Sequence, residues 1–131
     1  MARRVQMTRL PIDELARRER LLRAARIRQV DEAFAASAAI VTTDSRGRRE
    51  LVIMSGEPGA PRSMRVTYLA VDGPRGHFTA TSRRALLEHV ADGYPTSARP
   101  VRDDEVIAWT SSDAYRDGAA RVAEVARANG L

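Results

Sequence analysis

The first periodic segment of the chain predicts a helix. Between residues 12 and 36, apolar residues recur at helical spacing and share about one third of the helical circumference: Ile12, Leu15, Ala16, Leu22, Ile27, Val30, Ala33 and Phe34. Pro11 and the acids that follow it suit a first turn, so the helix is predicted over 12–36 and residues 1–11 as a flexible basic leader. Glu19, Arg23 and Arg26 interrupt the apolar stripe midway. We therefore expect the C-terminal half of the helix to be better buried.

The pattern then changes to strands. Apolar runs at 37–43 and 50–55 flank the turn "DSRGRR" and predict a hairpin. Residues 64–71 alternate between apolar and polar, and the turn "DGPRG" leads to "HFTAT" (77–81), which predicts a second hairpin. The Gly- and Pro-rich stretch 56–62 reads as a loop between the hairpins. A meander of four strands places both hairpin turns at the same end of the sheet.

The last third predicts two helices and a strand. Ser82 caps a short helix that stops at Gly93, the apolar run "EVIAW" (105–109) predicts a fifth strand, and "SSD" (111–113) caps a final helix. The order is α-β-β-β-β-α-β-α. It predicts one α+β domain over 1–131, a two-layer sandwich in which helices pack on one face of a mostly antiparallel sheet of four to five strands.

Charge is unevenly distributed along the chain. Residues 1–30 contain nine arginines and three acids, a charge of +6, whereas residues 31–131 contain thirteen arginines and fourteen acids, a charge of −1. The last 29 residues carry six acids and three arginines, a charge of −3. This asymmetry favours an anionic partner for the N-terminal segment, or contact between that segment and the acidic C-terminal region.

Composition narrows the class of protein. The chain has no lysine, but its 22 arginines accompany 22 alanines, and codons for both are GC-rich, so genome composition explains the bias. No cysteine is present, and no apolar run approaches the ~18 residues of a membrane span. The basic N-terminus has no apolar region after it, unlike a signal peptide. We expect a cytoplasmic protein that does not enter a membrane.

Arginines on the first helix and the hairpin turns predict a nucleic-acid or partner-binding surface. If the helix packs back along the sheet, its N-terminal half reaches the turns, and the basic elements form one surface. The candidate residues are Arg17, Arg18, Arg20, Arg23, Arg28, Arg46, Arg48, Arg49 and Arg75. The predicted function is a small basic accessory or regulatory protein that binds DNA or RNA. No aromatic residues interleave with the helix arginines, which argues against stacking on single-stranded bases.

Two other interpretations of the basic helix remain open. In the first interpretation, the helix is an ordinary solvated face, since arginine is a good helix former and Glu19 can pair with Arg23. In the second, the protein is a non-enzymatic interaction module, a homodimer or an inhibitor, that docks through the mixed-charge helix. Acids such as those at 103–105 would then satisfy the interrupting charges across the interface.

The segment "MRVTYLAVDGPRGHFTATSRRALLEHVADG" (64–93) resembles the strand–turn–strand–helix core of AP2-like, integrase-type DNA-binding domains. The resemblance rests on a DG turn, a threonine before the helix and an alanine within it, and it covers 30 of the 131 residues. A third strand of matching length is missing. Because those domains read DNA with one face of a sheet, the resemblance implies a DNA-reading sheet face here.

No arrangement of residues predicts catalysis, a metal site or a cofactor. The sequence has no nucleophile elbow, phosphate-binding loop or zinc-protease motif. His89 is interpreted as a surface or interface residue, and His77, after the "DGPRG" turn, as a residue near a backbone-lined anion site at most. The acids at 103–105 point to different sides of an extended segment, where they begin a strand or pair with Arg99 and Arg102. We expect a non-enzymatic protein.

Overall fold

A computed structural model describes the backbone of residues 2–56 and 64–130, and the side chains of these residues from 12 onward. The described residues form four helices and five strands: α1 (Ala2–Ala36), β1 (Ala39–Thr43), β2 (Arg49–Ser55), β3 (Met64–Ala70), β4 (Gly73–Ala80), α2 (Arg83–Ala91), β5 (Ser97–Pro100), α3 (Asp103–Ser111) and α4 (Asp113–Ala128). The predicted inter-hairpin loop falls largely on 57–63, outside the described residues.

The five strands form one antiparallel sheet in the order β4-β3-β2-β1-β5. β1 to β4 make the predicted meander, with Val41 opposite Leu51 and Val66 opposite Phe78. The predicted α+β class, the antiparallel sheet and the order of elements are therefore confirmed, and two helices, α3 and α4, follow the fifth strand where the sequence predicts one.

Apolar side chains alternate along the strands and form a core on each face of the sheet. On one face, α1 and α2 pack over a core that includes Val30, Val52 and Leu86, all fully buried. On the opposite face, a smaller core surrounds Leu51 and includes Trp109 of α3. Helices thus lie on both faces, whereas the sequence suggested one covered face.

The predicted strand at 105–109 is wrong, because this segment belongs to α3. Three acids fill the first turn of α3, where negative charge interacts favourably with the helix dipole. Val106 and Trp109, three residues apart, then face the smaller core together. The fifth strand is Ser97–Pro100, which lies between the predicted short helix and the predicted strand, and it pairs with residues 40–43 of β1. Its polar sequence and Pro100 suit an edge strand.

Helix α1 begins at Ala2, ten residues before the predicted start, so residues 2–11 are helical where a leader was expected. Its 35 residues extend about 52 Å, against roughly 27 Å for the eight residues of β4. As predicted, the C-terminal half is the buried one: Ile27, Val30, Ala33 and Phe34 all belong to the core. The other half of the helix extends beyond the sheet.

Candidate functional site

Residues 12–22 of α1, the projecting half, are exposed on every side of the helix. Even the apolar residues that continue the core-facing stripe are open to solvent, since Ile12 is 68% exposed, Leu15 63% and Leu22 56%. Leu21, on the opposite side, is 60% exposed. The projecting half therefore lies clear of the rest of the described chain, and its surface is available for contact.

Arg23 binds Asp92, the residue that follows α2, and this contact shows the direction in which α1 runs. Its Nε donates to Asp92 Oδ1 at 2.9 Å and its Nη2 to Asp92 Oδ2 at 3.1 Å. These hydrogen bonds and the guanidinium charge lower the pKa of Asp92. Just after Asp92, the backbone N–H of Thr96 donates to Thr43 O, at the hairpin end of β1. Helix α1 therefore runs back along the sheet and leaves it at the end where the hairpin turns lie.

Arg26 is also satisfied by its own chain. Its Nε donates to Ala91 O at 3.3 Å, its Nη2 donates to Glu19 Oε1 at 3.0 Å, and its Cζ lies 4.6 Å from the centroid of the Tyr94 ring. The charges that interrupt the apolar stripe thus meet α2 and each other. One interpretation of the sequence had these charges satisfied across an interface with a partner protein. In the structure, Arg23 and Arg26 instead contact residues 65–69 positions away in the same chain, at the end of α2.

The other predicted helix arginines remain on the surface. Glu14 lies 3.9 Å from Arg17 and 3.2 Å from Arg18, in exposed pairs that contribute little stability. No carboxylate among the described side chains lies within 4 Å of Arg20 or Arg28. These four arginines are available to an anionic partner, whereas Arg23 is held by Asp92.

In the first hairpin turn, Asp44 binds most of the local donors. Its Oδ1 accepts from the backbone N–H groups of Arg46 and Arg48 at 2.9 Å, and its Oδ2 accepts from Arg48 Nε at 3.0 Å. The backbone hydrogen bond from Arg48 is the main cause of the lowered pKa of Asp44. Arg49 lies over the Trp109 ring, 5.8 Å from its centroid. Arg46 has no carboxylate within 4 Å among the described side chains.

In the second hairpin, Arg75 forms a two-point ion pair with Glu50, and its Cζ lies 4.9 Å over the Tyr68 ring. The predicted shared end of the two turns is confirmed, because Asp44 and Asp72, one from each turn, line the same cleft. Of the four predicted turn arginines, only Arg46 has neither a carboxylate nor an aromatic ring as partner among the described residues.

The cleft between the turns and the end of α2, here the tip cleft, was missed from the sequence. It has a volume of about 890 Å³, and its polar lining includes Thr42, Glu50, Tyr68, Arg75 and His89. Tyr68 Oη and His89 Nδ1 are 2.6 Å apart. Burial raises the pKa of the Tyr68 phenol, the negative charge of Glu50 adds to the rise, and Arg75 opposes it.

One sequence signal could have indicated the tip cleft. Thr42, Glu50 and Tyr68 occupy core-facing positions of three adjacent strands, where polar groups need partners. His89 is exposed, as the sequence predicts for a surface residue, and one face of its ring stacks on Phe78 with centroids 4.0 Å apart. Its partner Tyr68 lies 21 residues earlier, so no local pattern joins them. His77 is exposed and does not line the cleft.

The structure does not provide the sheet face that the AP2-like resemblance implies. On the face of β3 opposite α2, Leu69 is buried in the core that contains Trp109 of α3. Beside it, Gly118 of α4 packs directly against the β3–β4 turn. A nucleic acid would therefore meet α3 and α4 on this side before it met the sheet.

The described part of the chain contains no cluster of three His, Asp or Glu residues that could hold a metal ion. Within the same part, no helix is both long enough and apolar enough to cross a membrane. The chain matches no family model, no curated protein and no solved structure.

Proposed function

We propose that the protein binds nucleic acid, DNA or RNA, through the arginines of α1, as a non-enzymatic accessory or regulatory protein. The observation that carries the proposal is the exposure of the projecting half, which presents Arg17, Arg18 and Arg20 clear of the described core. Phosphates are bound mainly by such exposed cations.

The proposed binding surface is smaller than the predicted one. We propose Arg17, Arg18, Arg20 and Arg28 as the helix contacts, and Arg46 as the turn residue best placed to add to them. Arg23, Arg48 and Arg75 are held in ion pairs and would have to exchange a carboxylate for a phosphate. The proposed interface is therefore mainly one side of a helix.

Fluorescence anisotropy with labelled DNA and RNA duplexes at two salt concentrations tests the proposal. Binding should weaken steeply with salt, because each phosphate contact releases counterions. The triple variant Arg17→Gln, Arg20→Gln, Arg28→Gln should lower the slope of log K against log salt by about one for each phosphate that the variant no longer binds. The matched control removes three exposed arginines from α4: Arg116→Gln, Arg121→Gln, Arg127→Gln.

Two results would reject nucleic-acid binding by α1. One is the absence of salt-sensitive binding at low salt. The other is equal weakening by the two triple variants, since both remove three charges and only one set lies on α1. Such equality would indicate attraction by net charge alone.

The exposed apolar stripe supports a second candidate function, protein docking. Ile12, Leu15 and Leu22 continue the core-facing stripe of α1 and have no partner among the described residues. Such a stripe is typical of a helix that packs against another helix. Arg18 and Arg20 flank the stripe and favour an acidic partner helix over a second copy of the same basic one.

Light scattering on the full chain separates the two kinds of docking. A strict monomer would exclude the homodimer, whereas a dimer that dissociates on Ile12→Ser with Leu15→Ser, but not on Leu21→Ser, would establish it. Leu21 serves as the control because it is equally exposed but lies on the opposite side of the helix.

A further inference from the structure

The tip cleft has the size and shape of a ligand site. Its volume of about 890 Å³ falls in the range of ~300–1,000 Å³ typical of small-molecule pockets. Polar side chains from β1, β2, β3, the β3–β4 hairpin and α2 converge on it: Thr42, Glu50, Tyr68, Arg75 and His89. Thr42 and Tyr68 are buried and Glu50 is half-buried, so their polar atoms need partners, whereas Arg75 and His89 are open to solvent at the wall of the cleft.

Most of the acceptors in the tip cleft are already bound. Asp44 accepts hydrogen bonds from two backbone N–H groups and one guanidinium, Glu50 is paired with Arg75, and Asp92 accepts two bonds from Arg23. Of the four lining carboxylates, only Asp72 has no side-chain hydrogen bond among the described residues. The negative charge of the lining is therefore largely neutralised.

Donors remain in excess. A guanidinium has five N–H groups, and Arg48 uses only Nε in the hydrogen bonds of the described residues, while Arg75 uses Nε and Nη2. Tyr68 Oη is assigned as the donor to His89 Nδ1, and in that tautomer the second ring nitrogen of His89, Nε2, is an N–H group. The unused capacity of the tip cleft is thus mostly N–H.

We propose that the tip cleft binds a small organic anion through its phosphate or carboxylate group, held by Arg75, Arg48 and His89. An oxyanion offers several acceptor oxygens and no donors, which complements unused guanidinium and imidazole N–H groups. Charge-assisted hydrogen bonds of this kind are about twice as strong as neutral ones. The Glu50 carboxylate orients Arg75 without using its Nη1 group.

Nuclear magnetic resonance titration of the full chain tests the proposal, with inorganic phosphate and acetate as probes and chloride at matched ionic strength as the reference. The ring nitrogens of His89 and the side-chain nitrogens of Arg75 should shift and saturate with phosphate, acetate or both, but not with chloride. A third titration with a short DNA duplex identifies phosphate supplied by a nucleic-acid backbone.

The double variant Glu50→Gln, Arg75→Gln tests the residues without leaving a lone charge in the cleft. Removal of a charge-assisted hydrogen bond should weaken phosphate binding at least about tenfold. The control, Arg99→Gln, removes an exposed arginine that pairs with Glu105 outside the cleft, and it should bind as the wild type does. His89→Gln, on an exposed position, gives a second test if the double variant unfolds.

Three results would overturn the small-anion proposal. Equal shifts with chloride would show screening alone, and shifts confined to Arg17 or Arg20 would place the anion on α1. Shifts of His89 with DNA but not with free phosphate would make the cleft part of the nucleic-acid surface. A cleft that binds phosphate while DNA binding fails would support this proposal and reject the other.

Discussion

Gly118 allows α4 to pack directly on the turn between β3 and β4. A Cβ atom built at Gly118 would lie 1.5 Å from the carbonyl oxygen of Asp72 and 3.1 Å from the Cα of Gly73. Both atoms are backbone, so no side-chain rotation relieves the contact. For Gly118→Ala, α4 has to move by about 2 Å to reach the 3.4–4 Å of an ordinary contact. The movement also disturbs Tyr115, which packs in the smaller core.

The direction of the change in the free energy of unfolding is informative, because the helix propensity of alanine alone would make Gly118→Ala stabilising. Alanine stabilises a helix interior by about 1 kcal/mol relative to glycine, whereas overpacking costs about 1–3 kcal/mol or more. The contact with backbone places Gly118→Ala at the upper end, so we expect a net loss of about 1–2 kcal/mol. At an m-value near 1–3 kcal/mol/M, the urea midpoint should fall by roughly 1 M.

The control for this substitution is Gly76→Ala. No heavy atom lies within 4 Å of a Cβ at Gly76, so the change in the free energy of unfolding should stay within about 0.5 kcal/mol. A Gly118→Ala variant as stable as the wild type, or more stable, would show that α4 does not pack on this turn. The described arrangement of the turn, and with it one wall of the tip cleft, would then be wrong.

Two further predictions test the core and the ion pair that holds α1. Leu86 is fully buried, so Leu86→Ala should lower the free energy of unfolding by about 2–5 kcal/mol. Leu21 is 60% exposed, so the control Leu21→Ala should change it by less than about 0.5 kcal/mol. Urea unfolding measures both changes. The pKa of Asp92 is lowered in the folded state, so its contribution is present above the unfolded value near 3.9 and is lost as the pH falls through the folded value. Asp92→Asn should therefore flatten the acid limb of the urea midpoint plotted against pH, and an unchanged limb would show that the Arg23 pair is not formed in solution.

Periodicity predicted the local elements well and the long-range contacts poorly. The C-terminal half of α1 and both hairpins follow from apolar spacing because the core itself imposes that spacing. The run 105–109 is too short for its period to separate a strand from a helix, and the acids at 103–105 stabilise the first turn of the helix that forms. The tip cleft escaped prediction for a different reason. Tyr68 and His89 meet only after two strands and a helix have folded, and no local period records that contact.

The projecting half shows two patterns that the described core does not explain. Ile12, Leu15 and Leu22 keep helical spacing although they bury nothing within the described chain, so core packing alone does not account for that spacing. Arg17 and Arg28 lie on the opposite side of the same helix, because a rotation of about 100° per residue places both of them roughly half a turn from the centre of the stripe. A phosphate contact at these arginines would leave the stripe free, and a helix docked on the stripe would leave these arginines free. The two candidate functions are therefore compatible on one helix. Variants at Arg17 and Arg28 and variants of the stripe should affect them independently, whereas Arg20, which flanks the stripe, can contribute to both.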